Sequence, residues 1–269
     1  RQRQMCIRDS IYIGVMNFQI ASDLYLEFKE NSSWLAKNPL EVTGDILLLA
    51  GDIGCIGNDD YTAYPFWDWA SEHYQRVIIV LGNHEFYRMF DLSKLYNGWT
   101  MKIRKNVDCY YNAMVPLGEK TVVIATTLWS HINPEDAFFI ERHVSDFAQI
   151  RYKAEPFGWE QYNMEHDLCM RFLKTSVTAC VDKEIVVMSH HVPSMLLMSN
   201  DEGKNGLEGA YAVELKEYIV QSPVKYWIYG HSHTNIDAVI GQTCCICNQL
   251  GLVSSGRSIN FQAGKYFEL

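Results

Sequence analysis

Residues 76–85 read Arg76-Val77-Ile78-Ile79-Val80-Leu81-Gly82-Asn83-His84-Glu85. A short run rich in Val, Ile and Leu suits a strand buried on both faces. Gly82 then lets the backbone turn sharply and present Asn83 and His84. The same grammar recurs outward in both directions. Phe18–Ser22 runs into Asp23, Ile46–Ala50 into Gly51-Asp52, Ile185–Ser189 into His190, and Tyr226–Tyr229 into Gly230-His231. Each of these five strand-like segments ends on an oxygen or imidazole donor. In open α/β sheets, ligands collect in the crevice outside the C-terminal strand ends.

Helical patterns lie between the strands. Trp159–Val181 places Tyr162, His166, Cys169, Leu173, Ser176 or Val177, and Cys180 at helical spacing. Pro65–Tyr74 and Ala210–Gln221 carry weaker versions of the pattern. Val107–Thr127 reads as two strands joined near Pro116–Lys120, and Asn235–Cys247 and Gly264–Leu269 as further strands. No internal repeat or low-complexity linker interrupts the chain, so one domain over 16–269 is the simplest account.

The first ten residues, RQRQMCIRDS, match the in-frame translation of a transposase sequencing adapter. Arg1–Ser10 are therefore read as a library artefact, Ile11–Val15 as translated upstream sequence and Met16 as the start of the protein. The remaining chain is large enough for a single well-buried core. Its formal net charge of -9 becomes more negative once the leader is set aside. Proteins that track a phosphate backbone carry a basic face, so nucleic acid is disfavoured as a partner. No apolar run reaches the length of a bilayer span. The eight cysteines are irregularly spaced, which points to reduced thiols and a cytoplasmic setting.

Asp23, Asp52, Asn83, His190, His231 and His233 supply the donors that a dinuclear hydrolytic site needs. Such a site shares one carboxylate between two cations about 3.5–4 Å apart, which clamp a phosphoryl oxygen and make hydroxide available near neutral pH. His231 and His233 are two apart, so an extended segment would put both rings on one side.

In order along the chain, Asp23-Leu24-Tyr25, Gly51-Asp52, Gly82-Asn83-His84-Glu85, His190 and Gly230-His231-Ser232-His233 resemble the motif series of the calcineurin-like metallophosphoesterases. The resemblance extends to Thr127-Leu128-Trp129, Ser189-His190-His191-Val192-Pro193 and Asn248-Gln249-Leu250-Gly251, as in a bacterial branch of small single-domain members. It implies an α/β fold, a four-layer α/β/β/α sandwich of two mixed sheets flanked by helices. It implies a hydrolase of phosphomonoesters or phosphodiesters that takes small phosphorylated substrates and two ions chosen from Mn, Fe, Zn, Ni or Co. Asp52 would bridge the ions, with Asp23 and His233 on the first and Asn83, His190 and His231 on the second. A metal-bound hydroxide would attack phosphorus while His84, not a ligand, assists the leaving oxygen. A neighbouring carboxylate can orient an imidazole at such a site, and the sequence leaves open whether Glu85 or Asp52 does so. The arginines that serine/threonine protein phosphatases place beside these blocks are absent, and Cys55 lies where purple acid phosphatases carry a Tyr.

Tyr25 departs from the pattern, which expects a His ligand to the first ion. A phenol has a reference pKa of about 10, so binding an ion through it costs a proton. The first site would then be weak, unless a phenolate held Fe(III). His and Tyr codons also differ by one base. The competing reading is a weakly active or non-catalytic metal-binding member of the fold.

Other residues carry blander readings. His191 either contacts substrate or packs beside a ligand. His131 suits the surface, His166 a hydrogen-bonded core position, and His73 and His143 no site. Cys244, Cys245 and Cys247 lack a second cysteine pair at zinc-site spacing and read as core residues. Phe66, Trp67 and Trp69 fit either a cleft border or helix packing.

Overall fold

The computed structural model describes residues 15–57, 60–199, 206–256 and 260–269. The adapter-like Arg1–Ser10 and the upstream Ile11–Gly14 lie outside the described residues; Val15 is exposed, and Met16 packs against the core between the sheets.

The strands are β1 Asn17–Ala21, β2 Ile46–Ala50, β3 Arg76–Val80, β4 Trp99–Arg104, β5 Val107–Tyr111, β6 Ala113–Leu117, β7 Thr121–Thr126, β8 Arg151–Tyr152, β9 Glu155–Pro156, β10 Glu184–Ser189, β11 Val224–Tyr229, β12 Ala238–Ile240, β13 Thr243–Cys247 and β14 Tyr266–Glu268. The helices are α1 Lys29–Lys37, α2 Pro65–His73, α3 Pro134–His143, α4 Asp146–Gln149, α5 Trp159–Ala179, α6 Glu208–Tyr211 and α7 Lys216–Gln221. Pro65 and Pro134 open α2 and α3, where a missing N–H costs nothing.

Two six-stranded sheets form, in the orders β14-β1-β2-β3-β5-β4 and β12-β13-β11-β10-β7-β6. In each, four parallel strands run through the middle and an antiparallel strand closes either edge. The period of two sorts the side chains. Ile20, Leu48, Ile78 and Val80 of the first sheet meet Val123, Ala125, Val186, Met188 and Ile228 of the second. On the first sheet's other face, Leu47, Leu49, Val77 and Ile79 pack with Leu35 of α1 and Trp67 and Ala70 of α2. Ile124, Ile185, Val187 and Trp227 pack outward against Leu173 and Val177 of α5 and Ile219 of α7. These three cores make the four-layer α/β/β/α sandwich that the motif series implied.

Local details differ from the sequence reading. Val107–Thr127 holds three strands instead of two. Asn112, at φ 44, turns the chain out of β5 in the first sheet and into β6 in the second. Asn and Asp tolerate that left-handed conformation better than most residues. The Ala210–Gln221 pattern breaks into α6 and α7, because Val213 N–H donates to Val192 O and draws the intervening backbone into extended pairing. Asn235–Cys247 contains β12 and β13 around Gly241, and α1, α3 and β4 had no clear signature. Among the described residues, no helix is long and apolar enough to cross a membrane.

Candidate metal centre

The C-terminal ends of β1, β2, β3, β10 and β11 converge at one edge of the sandwich. There Asp23, Tyr25, Asp52, His231 and His233 have φ of 55, 51, 56, 73 and 54, a left-handed region that non-glycine residues seldom occupy. The His231–His233 segment is therefore not extended as expected; two left-handed turns, not strand alternation, aim its rings. Gly82 is required by crowding: a Cβ there would lie 2.2 Å from Asp52 Oδ1. At Gly51, φ 85, a Cβ would lie 2.4 Å from His190 Nδ1.

Asp52, His190 and His231 bring ligand atoms within 4.8 Å of one another, all buried. Asn83 Oδ1 is 3.0 Å from His190 Nε2, His231 Nδ1 is 3.1 Å from it, and Asp52 Oδ1 is 3.3 Å from it. The tautomers follow from the backbone. His190 Nδ1 lies 2.9 Å from Ala50 O and His231 Nε2 lies 3.2 Å from Ala210 O. Each carbonyl accepts a proton from its ring and leaves the other nitrogen pointing inward. Asn83 Oδ1, Asp52 Oδ1 and His231 Nδ1 thus surround His190 Nε2, whose proton a cation would displace, so that four donor atoms face one point. For His190, burial disfavours charge, but the Asp52 carboxylate outweighs it and pushes the imidazole up to about 9. Burial and the neighbouring imidazoles hold His231 well below its ordinary value. Burial also works against the Asp52 charge, yet His190 and His84 keep that carboxyl well below the usual range.

The remaining predicted donors lie beside this cluster. His233 Nε2 is 3.5 Å from Asp23 Oδ1. Asp23 is buried, accepts from Ser22 Oγ at 2.5 Å and receives the His231 N–H. Burial pushes its carboxyl up, partly offset by His233. Tyr25 enters here. Its Oη donates to Asp52 Oδ2 at 2.9 Å, lies 2.5 Å from His233 Nε2 and 3.4 Å from Asp23 Oδ1. Burial and the two carboxylates raise the phenol well above its ordinary pKa.

His84 stands apart from the donor cluster. Neither of the two carboxylates that the sequence left open, Glu85 and Asp52, orients its ring. Nδ1 contacts Glu27 Oε1 at 3.0 Å, and the ring stacks on Tyr87 at 4.0 Å. Asp52 Oδ1 accepts only its backbone N–H, at 2.9 Å. Burial opposes protonation of His84, but Asp52 and Glu27 together raise its pKa. Glu85 faces backwards and accepts the N–H groups of Asp52, Ile53, Gly54 and Gly82 at 2.7–3.2 Å. It clamps two strand-end loops together. Asp146 Oδ1 accepts from Asn83 Nδ2 and Tyr87 Oη, both at 2.8 Å, and so turns Asn83 Oδ1 toward His190. Glu27, Tyr87 and Asp146 escaped the sequence reading because no spacing marks them.

His191 is fully buried, with ring centroids 4.3 Å from His231 and 5.1 Å from Trp129. His166 Nδ1 contacts Trp129 O at 2.6 Å, while His131, His73 and His143 sit exposed and outside the cluster. Trp67 is core, and Phe66 and Trp69 pack against it. Cys245 and Cys247 point into the core of the second sheet and Cys244 to the opposite face.

The uncharacterized protein L509 of Acanthamoeba polyphaga mimivirus is 25% identical over 279 residues, spanning 92% of this chain and 95% of the viral protein. The crystal structure of phosphopantetheinyl hydrolase (PptH) from Mycobacterium tuberculosis superposes with a TM-score of 0.67 at 14% identity, over 94% of this chain and 95% of that one. TT1561 of Thermus thermophilus gives 0.51 at 13% identity, over 95% and 99%. At such identities the solved structures speak for the fold alone. The model of the calcineurin-like phosphoesterase family matches residues 16–235, four-fifths of the chain, and with the strand-end donors just described it places this protein in that family.

Proposed function

We propose that this protein hydrolyses phosphomonoesters or phosphodiesters of small molecules at a metal centre built on Asp52, Asn83, His190 and His231. One observation carries the reading: a buried carboxylate, an amide oxygen and two imidazole nitrogens converge on one point, where a cation would replace the His190 Nε2 proton. A bound divalent cation supplies Lewis acidity toward a phosphoryl oxygen and lowers the pKa of water. Mn, Fe, Zn, Ni and Co all suit an N/O donor set. The chain's own part is positional. Asp52 and Asn83 come from one sheet and His190 and His231 from the other, so sheet packing fixes the donors. Glu27 accepts the Nδ1–H of His84 and, with Asp52, favours its protonated form, whose Nε2–H is free to approach a leaving-group oxygen. Tyr87 supports the ring from one face.

The acidic balance supports a small phosphorylated substrate over a polynucleotide. Seven unpaired cysteines among the described residues support a cytoplasmic setting. The competing reading, a metal-binding member without useful turnover, gains from the Tyr25 contacts.

A panel of phosphomonoesters, phosphodiesters and cyclic nucleotides, assayed with each divalent metal, tests the proposal. Metal-dependent turnover of at least one class, lost in Asp52→Asn, is expected. Tight metal binding with no turnover of any class would favour the competing reading.

A further inference from the structure

The hydroxyl of Tyr25 stands between the atoms that the motif series assigns to the first ion. Asp52 Oδ2, His233 Nε2 and Asp23 Oδ1 surround it at 2.9, 2.5 and 3.4 Å. A transition metal would need the same three lone pairs at about 2.0–2.2 Å, and two species cannot occupy that point. The hydroxyl already meets the local demand. It donates its proton to Asp52 and accepts one from His233, whereas an ion would have to displace both bonds.

The side chain has little room to withdraw. Tyr25 is 2% exposed. Its ring packs edge-on against His84, His233 and Phe28, with centroids 4.6, 5.4 and 6.1 Å away. Its backbone is tied by an N–H bond to Asp52 O at 3.0 Å, and its carbonyl accepts from Phe28 N–H. A swing that cleared the site would break this packing and leave a buried phenol without partners.

We infer that Tyr25 takes the place of one metal ion and that this chain is a mononuclear member of its family. The hydroxyl bridges Asp52 to His233 as a cation would. It holds Asp52 Oδ2 on one side and leaves Oδ1 directed at the cluster of Asn83, His190 and His231. This inference rests on the metal-centre reading above but not on turnover.

Metal stoichiometry decides it. The full-length protein is equilibrated separately with Mn(II), Co(II) and Fe, desalted, and assayed for ions per chain, with the visible and paramagnetic resonance spectra recorded. The wild type should hold one ion and show no spin-coupled pair. Tyr25→His should raise the count to two and, with Mn(II), produce a coupled spectrum. Should that variant fail to fold, Tyr25→Ala frees the same donors and should take up a second, weaker ion. Two ions in the wild type would overturn the inference. So would an iron-loaded wild type with a visible phenolate band, which would make Tyr25 a ligand. An unchanged count of one in the folded variants would show that Tyr25 is not what excludes the ion. One ion without hydrolysis of any phosphoester would sink the proposed function and leave this inference standing.

Discussion

Glu27 Oε1 lies 3.0 Å from Nδ1 of His84, and the carboxylate that makes this contact is almost fully buried. The pair sets the orientation of the imidazole that stands beside the donor cluster and favours its protonated form. Partners that orient a metal-ligating imidazole typically contribute about 10–100-fold, and a similar effect is expected of one that orients a catalytic imidazole. Glu27→Gln should therefore lower kcat by about 10–100-fold while metal content stays at the wild-type value. A loss of the ion together with activity would show that Glu27 supports the metal site instead.

His84→Ala should lower kcat by roughly 10²–10⁴-fold, the range for a positioned acid, again with the ion retained. Asp52→Asn should empty the site, because Asp52 is the charged member of the cluster with Asn83, His190 and His231. Metal analysis beside steady-state kinetics separates the two variants.

Glu85 accepts four backbone N–H groups from two loops. Glu85→Ala would strand those buried donors, each worth about 1–3 kcal/mol when unsatisfied. A loss of at least about 3 kcal/mol is expected, read as a lower urea midpoint in metal-free protein. An unchanged midpoint would mean that water replaces the carboxylate without cost.

Chelation should lower Tm, since an ion that binds only the folded chain stabilises it by mass action. At 100 times Kd that stabilisation is about 2.7 kcal/mol, and each kcal/mol moves Tm by about 2–4 °C in a chain of this size. Titrating Mn(II) or Zn(II) back in should restore the transition temperature, and the Asp52→Asn protein should not respond.

His166 gives a pH effect remote from the metal donors. Burial holds its imidazole below the ordinary 6.5, only partly opposed by the Trp129 carbonyl. Above that value neither state is protonated and the group contributes nothing. As pH falls through 6.5, the unfolded chain takes a proton that the folded chain refuses, so stability declines until the lower folded value is reached. Urea unfolding of chelated protein between about pH 7.5 and 5.5 should show a shallower decline in His166→Gln than in wild type.

What the sequence disclosed was local and repetitive. Strand ends such as Leu81-Gly82-Asn83-His84 announce themselves, because a buried strand needs a run of branched apolar residues and the sharp exit needs glycine. Asp23, Asp52, Asn83, His190, His231 and His233 are brought to one edge as their shared position at strand ends implied. Glu27 and Asp146 were invisible, since each acts across the fold on a residue far away in the chain and sits in no pattern of its own. Glu85 was visible but its role stayed open: adjacency to His84 made it one of two candidate partners for the ring, while the turn of the backbone sends it to the amides behind. The passage between sheets at Asn112 depends on one left-handed residue that reads as an ordinary loop polar.

The division of donors between two sheets sets an order of events during synthesis. Asp52 and Asn83 leave the ribosome long before His190 and His231, and domains consolidate as their parts emerge. β1 keeps one edge open until β14 arrives from the far end of the chain to pair with it. A nascent chain that lacks the second sheet therefore carries only two of the four donors, and the complete cluster of Asp52, Asn83, His190 and His231 forms only when both halves have been made and docked.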